Sequence, residues 1–360
     1  MPRSVNKYKS IVHDGMRETR DLMKSFEESH QKYLRGLVEK SYESETHKPG
    51  FRTEWCIPLE LETELDSFIG QERIKEAVEI AIIASMKSET PINHMLFIGP
   101  PGLGKSTIAR KIAKILGLPY YIYNGKSVSQ ANEINNLIKF IRSPGLFSII
   151  FIDEIHRISK GVAEEIYELL QDFTYHGQDV KPFTCLGATT SPGVLLKPLR
   201  ERFKYVMRFH PYSIDELKKI LKLQDPDLSE DVTDFLSVRA NGVPRILLNH
   251  YIKAKDVAIY RGNERPDVMH CMYAMQLSGV DNAGLTEEHI AVLEYLKEVG
   301  KPIGKSTICA ALNINDSELM QMIEPVLLSE RLIIRVPRGR EITMKGVEYL
   351  EQHLKEASNN

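Results

Sequence analysis

Between residues 71 and 189 the apolar positions fall into two alternating arrangements. Short continuous runs occur at 94–98, 120–123, 148–152 and 183–189, each of strand length. Between them, 71–88, 106–116, 131–141 and 161–173 carry apolar residues at helical spacing. Apolar strands joined by helices predict an α/β fold, a parallel sheet with helices on both faces. Residues 213–280 predict helices only. A smaller unit over 284–356 ends in a strand-turn-strand pattern. Ahead of the sheet, residues 4–46 hold no proline and two glycines, with apolar residues from Tyr8 and Ile11 to Leu34 and Leu37 near helical spacing. This predicts one or two amphipathic helices, either docked on the body or offered to a partner. His47-Lys48-Pro49-Gly50 breaks the chain before the main body.

The bulk numbers narrow this picture. A length of 360 residues suggests two or three domains. A formal net charge of -2 excludes a globally basic protein, so any nucleic-acid contact must rest on local patches. Cys56, Cys185, Cys271 and Cys309 form no C-x-x-C pair, which suits reduced, buried thiols better than a zinc site or a disulfide frame. No apolar run is long enough to cross a bilayer, and the N-terminus is polar. A cytoplasmic location without membrane attachment is therefore expected.

Candidate chemistry sits at the ends of the predicted strands. Residues 99–107 read G-P-P-G-L-G-K-S-T directly after the run Met95-Leu96-Phe97-Ile98. That is a phosphate-gripping loop between strand and helix. Gly99, Gly102 and Gly104 let backbone N–H groups converge on phosphate oxygens, and the following helix adds its positive end. Lys105 would reach the β- and γ-phosphates, and Ser106 would hold Mg²⁺. A second G-K-S-T at 304–307 lacks the upstream glycine, because position 299 is Val, and no buried strand leads into it. It reads as a helix start with Ser306 or Thr307 near the cap.

The strand at 148–152 runs into Asp153 and Glu154. Asp153 would orient Mg²⁺ through its water shell, and Glu154 would polarise the water that attacks the γ-phosphate. Thr189 and Thr190 end the next strand, where a hydroxyl can reach between phosphate and water, or simply satisfy a turn. Arg200 and Arg202 follow in Pro198-Leu199-Arg200-Glu201-Arg202-Phe203. Either surface ion pairs or a charge offered to a neighbouring subunit's phosphate fits them. Arg245, after Gly242-Val243-Pro244, could close over the γ-phosphate from the helical unit. Around Pro337-Arg338-Gly339-Arg340 the pattern predicts a hairpin bearing Arg335, Arg338 and Arg340, a local patch for phosphates. The preceding helix carries Glu318 and Glu324 and few basic residues, which disfavours base reading.

Taken together, G-P-P-G-L-G-K-S-T, F-I-D-E-I-H-R (151–157), G-A-T-T (187–190), P-L-R-E-R-F (198–203) and G-V-P-R (242–245) resemble the AAA+ ATPases. More narrowly they resemble the RuvB family, bacterial motors of Holliday-junction branch migration. Leu65-Asp66-Ser67-Phe68-Ile69-Gly70-Gln71-Glu72, Ile323-Glu324-Pro325 and the segment 335–340 extend the likeness collinearly from 57 to about 352. The resemblance implies an AAA+ P-loop core at 56–210, a helical lid at 211–282 and a winged helix at 283–360, after an extension at 1–55. It implies ATP and Mg²⁺ as cofactors, bound by Lys105, Ser106 and Thr107, with Asp153 and Glu154 serving metal and water. Thr190 corresponds to the first sensor, Arg202 to a finger acting in trans, Arg245 to the lid sensor and Tyr212 to a nucleotide-contacting tyrosine. Ile69 and Gly70 would lie near adenine, and Arg335 and Arg340 would touch DNA phosphates. A hexameric homo-oligomeric ring on branched or duplex DNA follows from the same likeness.

Three departures stand against it. Leu59 to Glu64 replaces the family's arginine-proline pair at the adenine site. Only residues 174–181 lie where the family has a long β-hairpin that grips its partner RuvA. Residues 1–55 match no family segment. These departures keep a second function open, an AAA+ loader that delivers a replicative helicase or clamp to DNA through its N-terminal arm.

Overall fold

The computed structural model describes residues 61–128, 131–142 and 147–358. The helical arm expected over 1–55, and the departure at Leu59 and Glu60, lie outside them. The described residues belong to one compact unit.

Five strands form the central sheet: β1 (Met95–Ile98), β2 (Tyr120–Asn124), β3 (Ile149–Asp153), β6 (Thr184–Thr189) and β7 (Tyr205–Arg208), in the order β2-β3-β6-β1-β7. Every pairing is parallel. β1 and β6 are buried along their whole length, as a strand covered on both faces must be. The core gathers Leu96, Ile98, Ile150 and Ile152 from the strands with Ile138, Ile166, Leu170 and Phe203 from helices and loops. Helix Lys105–Leu116 buries Ile108, Ala109, Ile112, Ala113, Ile115 and Leu116, a stripe at helical spacing that faces the sheet. The order of strands sets up everything that follows. β3, β6 and β1 are consecutive neighbours, so their C-terminal ends open onto one edge.

β7 is not among the strands that the apolar pattern predicts. It is an edge strand in which Val206 and Arg208 are exposed and Met207 is buried, and its apolar run Tyr205-Val206-Met207, between Lys204 and Arg208, is only three residues long. The segment 174–181 folds into a minimal hairpin, β4 (Thr174–Tyr175) against β5 (Gln178–Asp179). His176 and Gly177 turn it with φ of 49° and 69°, as a tight two-residue hairpin requires. No protruding ribbon forms there.

The helices Ile214–Gln224, Glu230–Val238, Pro244–Tyr260 and Val268–Gln276 build the all-helical part. Ser213 caps the first of them in a reciprocal pair with Glu216, which fixes where the lid begins. The C-terminal unit packs helices Glu287–Val299, Lys305–Leu312 and Met344–Ser358 with a hairpin, β8 (Ile333–Val336) and β9 (Gly339–Ile342), over a core containing Leu293, Ile308, Leu327, Ile333 and Leu350. The second G-K-S-T is a helix start, with Gly304 at the cap and Ser306 and Thr307 in the first turn. The chain is thus an AAA+ P-loop fold with a C-terminal winged helix.

Candidate nucleotide site and winged-helix hairpin

The phosphate loop leaves β1 at Ile98 and enters helix Lys105–Leu116. Gly102 and Gly104 take φ of 83° and 95°. A Cβ on Gly102 would stand 2.8 Å from the Arg245 Cβ, and one on Gly104 would stand 3.0 Å from the Phe68 ring. Conformation and space both exclude larger residues there. Lys105 lies buried at the loop's base, and its Nζ donates to the Gly99 and Pro100 carbonyls at 2.7 Å each. Burial pulls its pKa down to about 8, with Asp153 and Glu154 opposing and Arg245 reinforcing. An ammonium in that setting gains from an approaching phosphate. Ser106 is half-buried and Thr107 exposed on the first turn. The Ser106 hydroxyl and the Asp153 carboxylate are hard oxygen donors, the type that suits Mg²⁺.

Asp153 closes β3, and Glu154 follows in the left-handed conformation, with φ 49° and ψ 45°. A non-glycine residue there costs on the order of 1–3 kcal/mol, so its surroundings must impose it. They do. The Glu154 N–H donates to Asp153 Oδ1 at 3.0 Å. Gly125 lies so close that a Cβ on it would stand 2.3 Å from the Glu154 carbonyl oxygen. Thr190, just beyond β6, donates its hydroxyl proton to Glu154 Oε2 at 3.0 Å. His156 Nδ1 stands 3.2 Å from that same oxygen and 3.0 Å from Thr189 Oγ1. Burial pushes the His156 pKa down against the pull of Glu154.

Lid residues reach this edge as well. Arg245, on the first turn of helix Pro244–Tyr260, donates its backbone N–H to the Gly102 carbonyl at 3.4 Å. Tyr212 is buried and donates its hydroxyl to the Leu103 carbonyl at 3.2 Å, and burial pushes its pKa up to about 12. Gly70 lies against the Tyr212 ring, where a Cβ would stand 2.9 Å from Cε1. The neighbouring Gln71 grips the His210 backbone at both ends, donating to its carbonyl at 2.6 Å and accepting from its N–H at 3.2 Å. The segment holding Ile69 and Gly70 is thereby fixed beside Tyr212.

Lys105, Asp153, Glu154, Thr190, Tyr212 and Arg245 therefore lie along one edge. Arg202 is placed differently. It caps helix Lys197–Glu201 at its C-terminal end, and its Nε is enclosed without a hydrogen-bond partner. The sequence reading assigned no role to His156 or Gln321. His156 lies inside F-I-D-E-I-H-R, so its position was a usable signal. Gln321, whose Nε2 donates to Thr190 Oγ1 at 3.1 Å, has no local signal at all.

The hairpin turns between Val336 and Gly339, which pair across it, and Arg338 stands exposed at its tip. Glu324, which the sequence reading counted only against base reading, is fully buried. Arg340 grips it twice, Nε to Oε1 at 3.0 Å and Nη2 to Oε2 at 2.9 Å. Arg335 Nε donates to Oε1 at 2.5 Å while half its side chain stays exposed. Burial would push the Glu324 carboxyl up, but the bonds from Arg340 and Arg335 hold it below its ordinary value. Arg340, expected to touch DNA phosphates, thus turns into the domain, because burying Glu324 requires a paired cation. Among the described residues no helix is long and apolar enough to cross a membrane.

Comparison with known proteins agrees with this architecture. The family model described as the Holliday junction DNA helicase RuvB P-loop domain matches residues 61–209, and the RuvB C-terminal winged helix domain matches 282–351. The RuvB subunit of the Holliday junction branch migration complex from Pseudothermotoga lettingae is 36% identical over 305 residues, covering 79% of this chain and 88% of its own. The counterpart from Ehrlichia ruminantium is 34% identical, covering 80% and 91%. The solved Thermotoga maritima RuvB branch migration motor superposes with a TM-score of 0.73 at 32% identity, covering 80% of this chain and 96% of that one. A helix-flanked parallel sheet carrying a P-loop, a helical lid and a winged helix, matched over four-fifths of the chain, makes this protein a member of the RuvB family of P-loop ATPases.

Proposed function

We propose that this protein is an ATP-dependent DNA motor of the RuvB type, working as a hexameric ring in the cytoplasm and hydrolysing ATP between subunits. The observation that carries this reading is the common edge formed by the ends of β3, β6 and β1. It brings Asp153 and Glu154, Thr190 and the Lys105 loop together. Lys105 and the loop N–H groups bind the β- and γ-phosphates, with Ser106 and Thr107 on the helix's first turn. Mg²⁺, held by Ser106 and Asp153, neutralises phosphate charge when bound. Glu154 takes the proton of the attacking water, and Thr190 orients that water. Ile69, Gly70 and Tyr212 border the base. Arg245 ties the lid to the phosphate loop and so converts nucleotide state into lid rotation. Arg202 acts on the neighbouring subunit's phosphate, which makes the ring a condition of turnover. Arg335 and Arg338 contact DNA phosphates without sequence preference, and Arg340 braces the wing from beneath.

A mixing experiment tests the shared site. Arg202→Ala and Lys105→Ala proteins, each inactive alone, are expected to recover ATPase together, because a mixed interface can hold one intact Lys105 and one intact Arg202. Full turnover by Arg202→Ala alone would refute the trans assignment. The two-residue strands of β4 and β5 favour a second reading, a loader using a partner other than one gripped by a long hairpin. Slow hydrolysis, together with capture of a protein partner that depends on residues 1–55, would select it. Strong DNA-stimulated turnover with junction unwinding would select the motor.

A further inference from the structure

Thr190 joins two side chains from different parts of the fold. Its oxygen accepts from Gln321 Nε2 at 3.1 Å, and its single hydroxyl proton goes to Glu154 Oε2 at 3.0 Å. The proton direction is forced, since an amide nitrogen can only donate. Gln321 belongs to the winged helix, 131 residues away in sequence. It sits within a π-helical turn, Leu319–Ile323, between the α-helical turns Asp316–Glu318 and Glu324–Ser329. Such turns mark functional positions often enough to merit a search for their role.

The same turn is fastened to the wing. Glu324, three residues beyond Gln321, is clamped by Arg335 of β8 and Arg340 of β9. Met320, next to Gln321, has its Sδ 3.2 Å from Arg340 Nη2. Arg340 is also tied to Ile303 by backbone bonds in both directions, at 2.8 and 2.9 Å. Wing, buried glutamate and π turn therefore move as one piece, and a force on Arg335 or Arg338 is delivered to Gln321.

We infer that the docked winged helix restrains hydrolysis. Gln321 holds Thr190 onto Glu154, so that neither group is available to the γ-phosphate and the attacking water until the wing is displaced by DNA. The inference rests on the proposed roles of Glu154 and Thr190. A hydroxyl has one proton, and here Glu154 takes it. An oxygen of Glu154 that already accepts from Thr190 has one lone pair fewer to offer an attacking water. The contact is neutral, part-buried and outside any secondary-structure ladder, so its net contribution of roughly 0.5–1.5 kcal/mol is small enough for DNA binding to overcome.

The test compares Gln321→Leu with the unaltered protein, full-length, with ATP and Mg²⁺, and with or without a four-way DNA junction. Without DNA, kcat is expected to rise about three- to tenfold, the counterpart of losing one such bond, with KM for ATP unchanged. With DNA the rate should match that of the unaltered protein, so the stimulation ratio falls by the same factor. Unfolding midpoints within about 1 °C of each other exclude loss of fold as the cause. An unchanged DNA-free rate, or a fall with and without DNA alike, overturns the restraint. Glu154→Gln is measured in parallel. If that substitution abolishes turnover while Gln321→Leu changes nothing, only the restraint fails. If Glu154→Gln leaves turnover intact, the hydrolytic reading fails and the restraint falls with it.

Discussion

Glu154 and Glu324 each stand at the start of a helical turn, and they are held in opposite ways. Glu154 is strained at φ 49°, partly exposed, and bonded to a neutral hydroxyl. Glu324 has ordinary helical backbone, no exposed side-chain surface, and two arginines upon it. Neutral bonds at a water-accessible edge are weak enough to exchange partners. Charge-assisted, bidentate bonds in a buried place are not. The first arrangement fits a group that must act on a ligand. The second fits one that must keep two elements in register. Carboxylates of the same type are thus set apart, one able to exchange partners and one a brace, through burial and the charge of their partners alone.

Three substitutions or conditions should pull the two apart. The largest expected effect is Glu154→Gln, which keeps shape and removes the base. Its kcat should fall on the order of 10²–10⁴-fold in steady-state ATPase assays, with little change in denaturant unfolding. A comparable loss of stability would place Glu154 with the braces instead. Next is Glu324→Ala, which strands Arg340 in the interior. Equilibrium unfolding of the winged helix should weaken by about 3–5 kcal/mol, as for a broken buried ion pair. Because the Glu324 carboxyl is held below its ordinary value, its contribution is present above the unfolded pKa and is lost as pH falls through the folded one. Acid should therefore loosen the wing of the unaltered protein more than that of Glu324→Ala, a difference that near-neutral comparisons would miss.

The smallest effect concerns Lys105. Its pKa is lowered to about 8, so the ammonium that meets phosphate is lost as pH rises through that value. Nucleotide affinity, read by titration of a fluorescent ATP analogue, should weaken about tenfold by one pH unit above it. Lys105→Arg cannot lose its charge in this range, so its affinity, whatever its size, should stay flat from pH 7 to 9 on the order-of-magnitude scale. A parallel decline in both proteins would assign the pH dependence to another group.

The strands, the phosphate loop and the carboxylate pair were legible because each is local. A buried parallel strand must be continuously apolar, and the loop that follows must place N–H groups, lysine and hydroxyl within a few residues. β7 escaped the same reading because its apolar run, Tyr205-Val206-Met207, is only three residues long between charged neighbours. Arg340 was expected at DNA phosphates and Glu324 counted only against base reading, since composition counts charges without showing which are buried together. Thr190 was placed at the correct strand end, but its partner Gln321 lies on another domain, and no spacing rule connects them.

From the chain alone came the fold class, the phosphate loop with Lys105 and Ser106, the Asp153-Glu154 pair and the basic hairpin, because short-range backbone geometry and residue chemistry suffice for each. Tertiary structure alone decided the strand order that sets these groups on one edge, which arginine of the wing points outward, and the hydrogen-bonded line from Gln321 through Thr190 to Glu154. Those depend on contacts between residues 16 to 131 positions apart, where burial and the identity of the facing group, rather than sequence neighbours, determine what a side chain does.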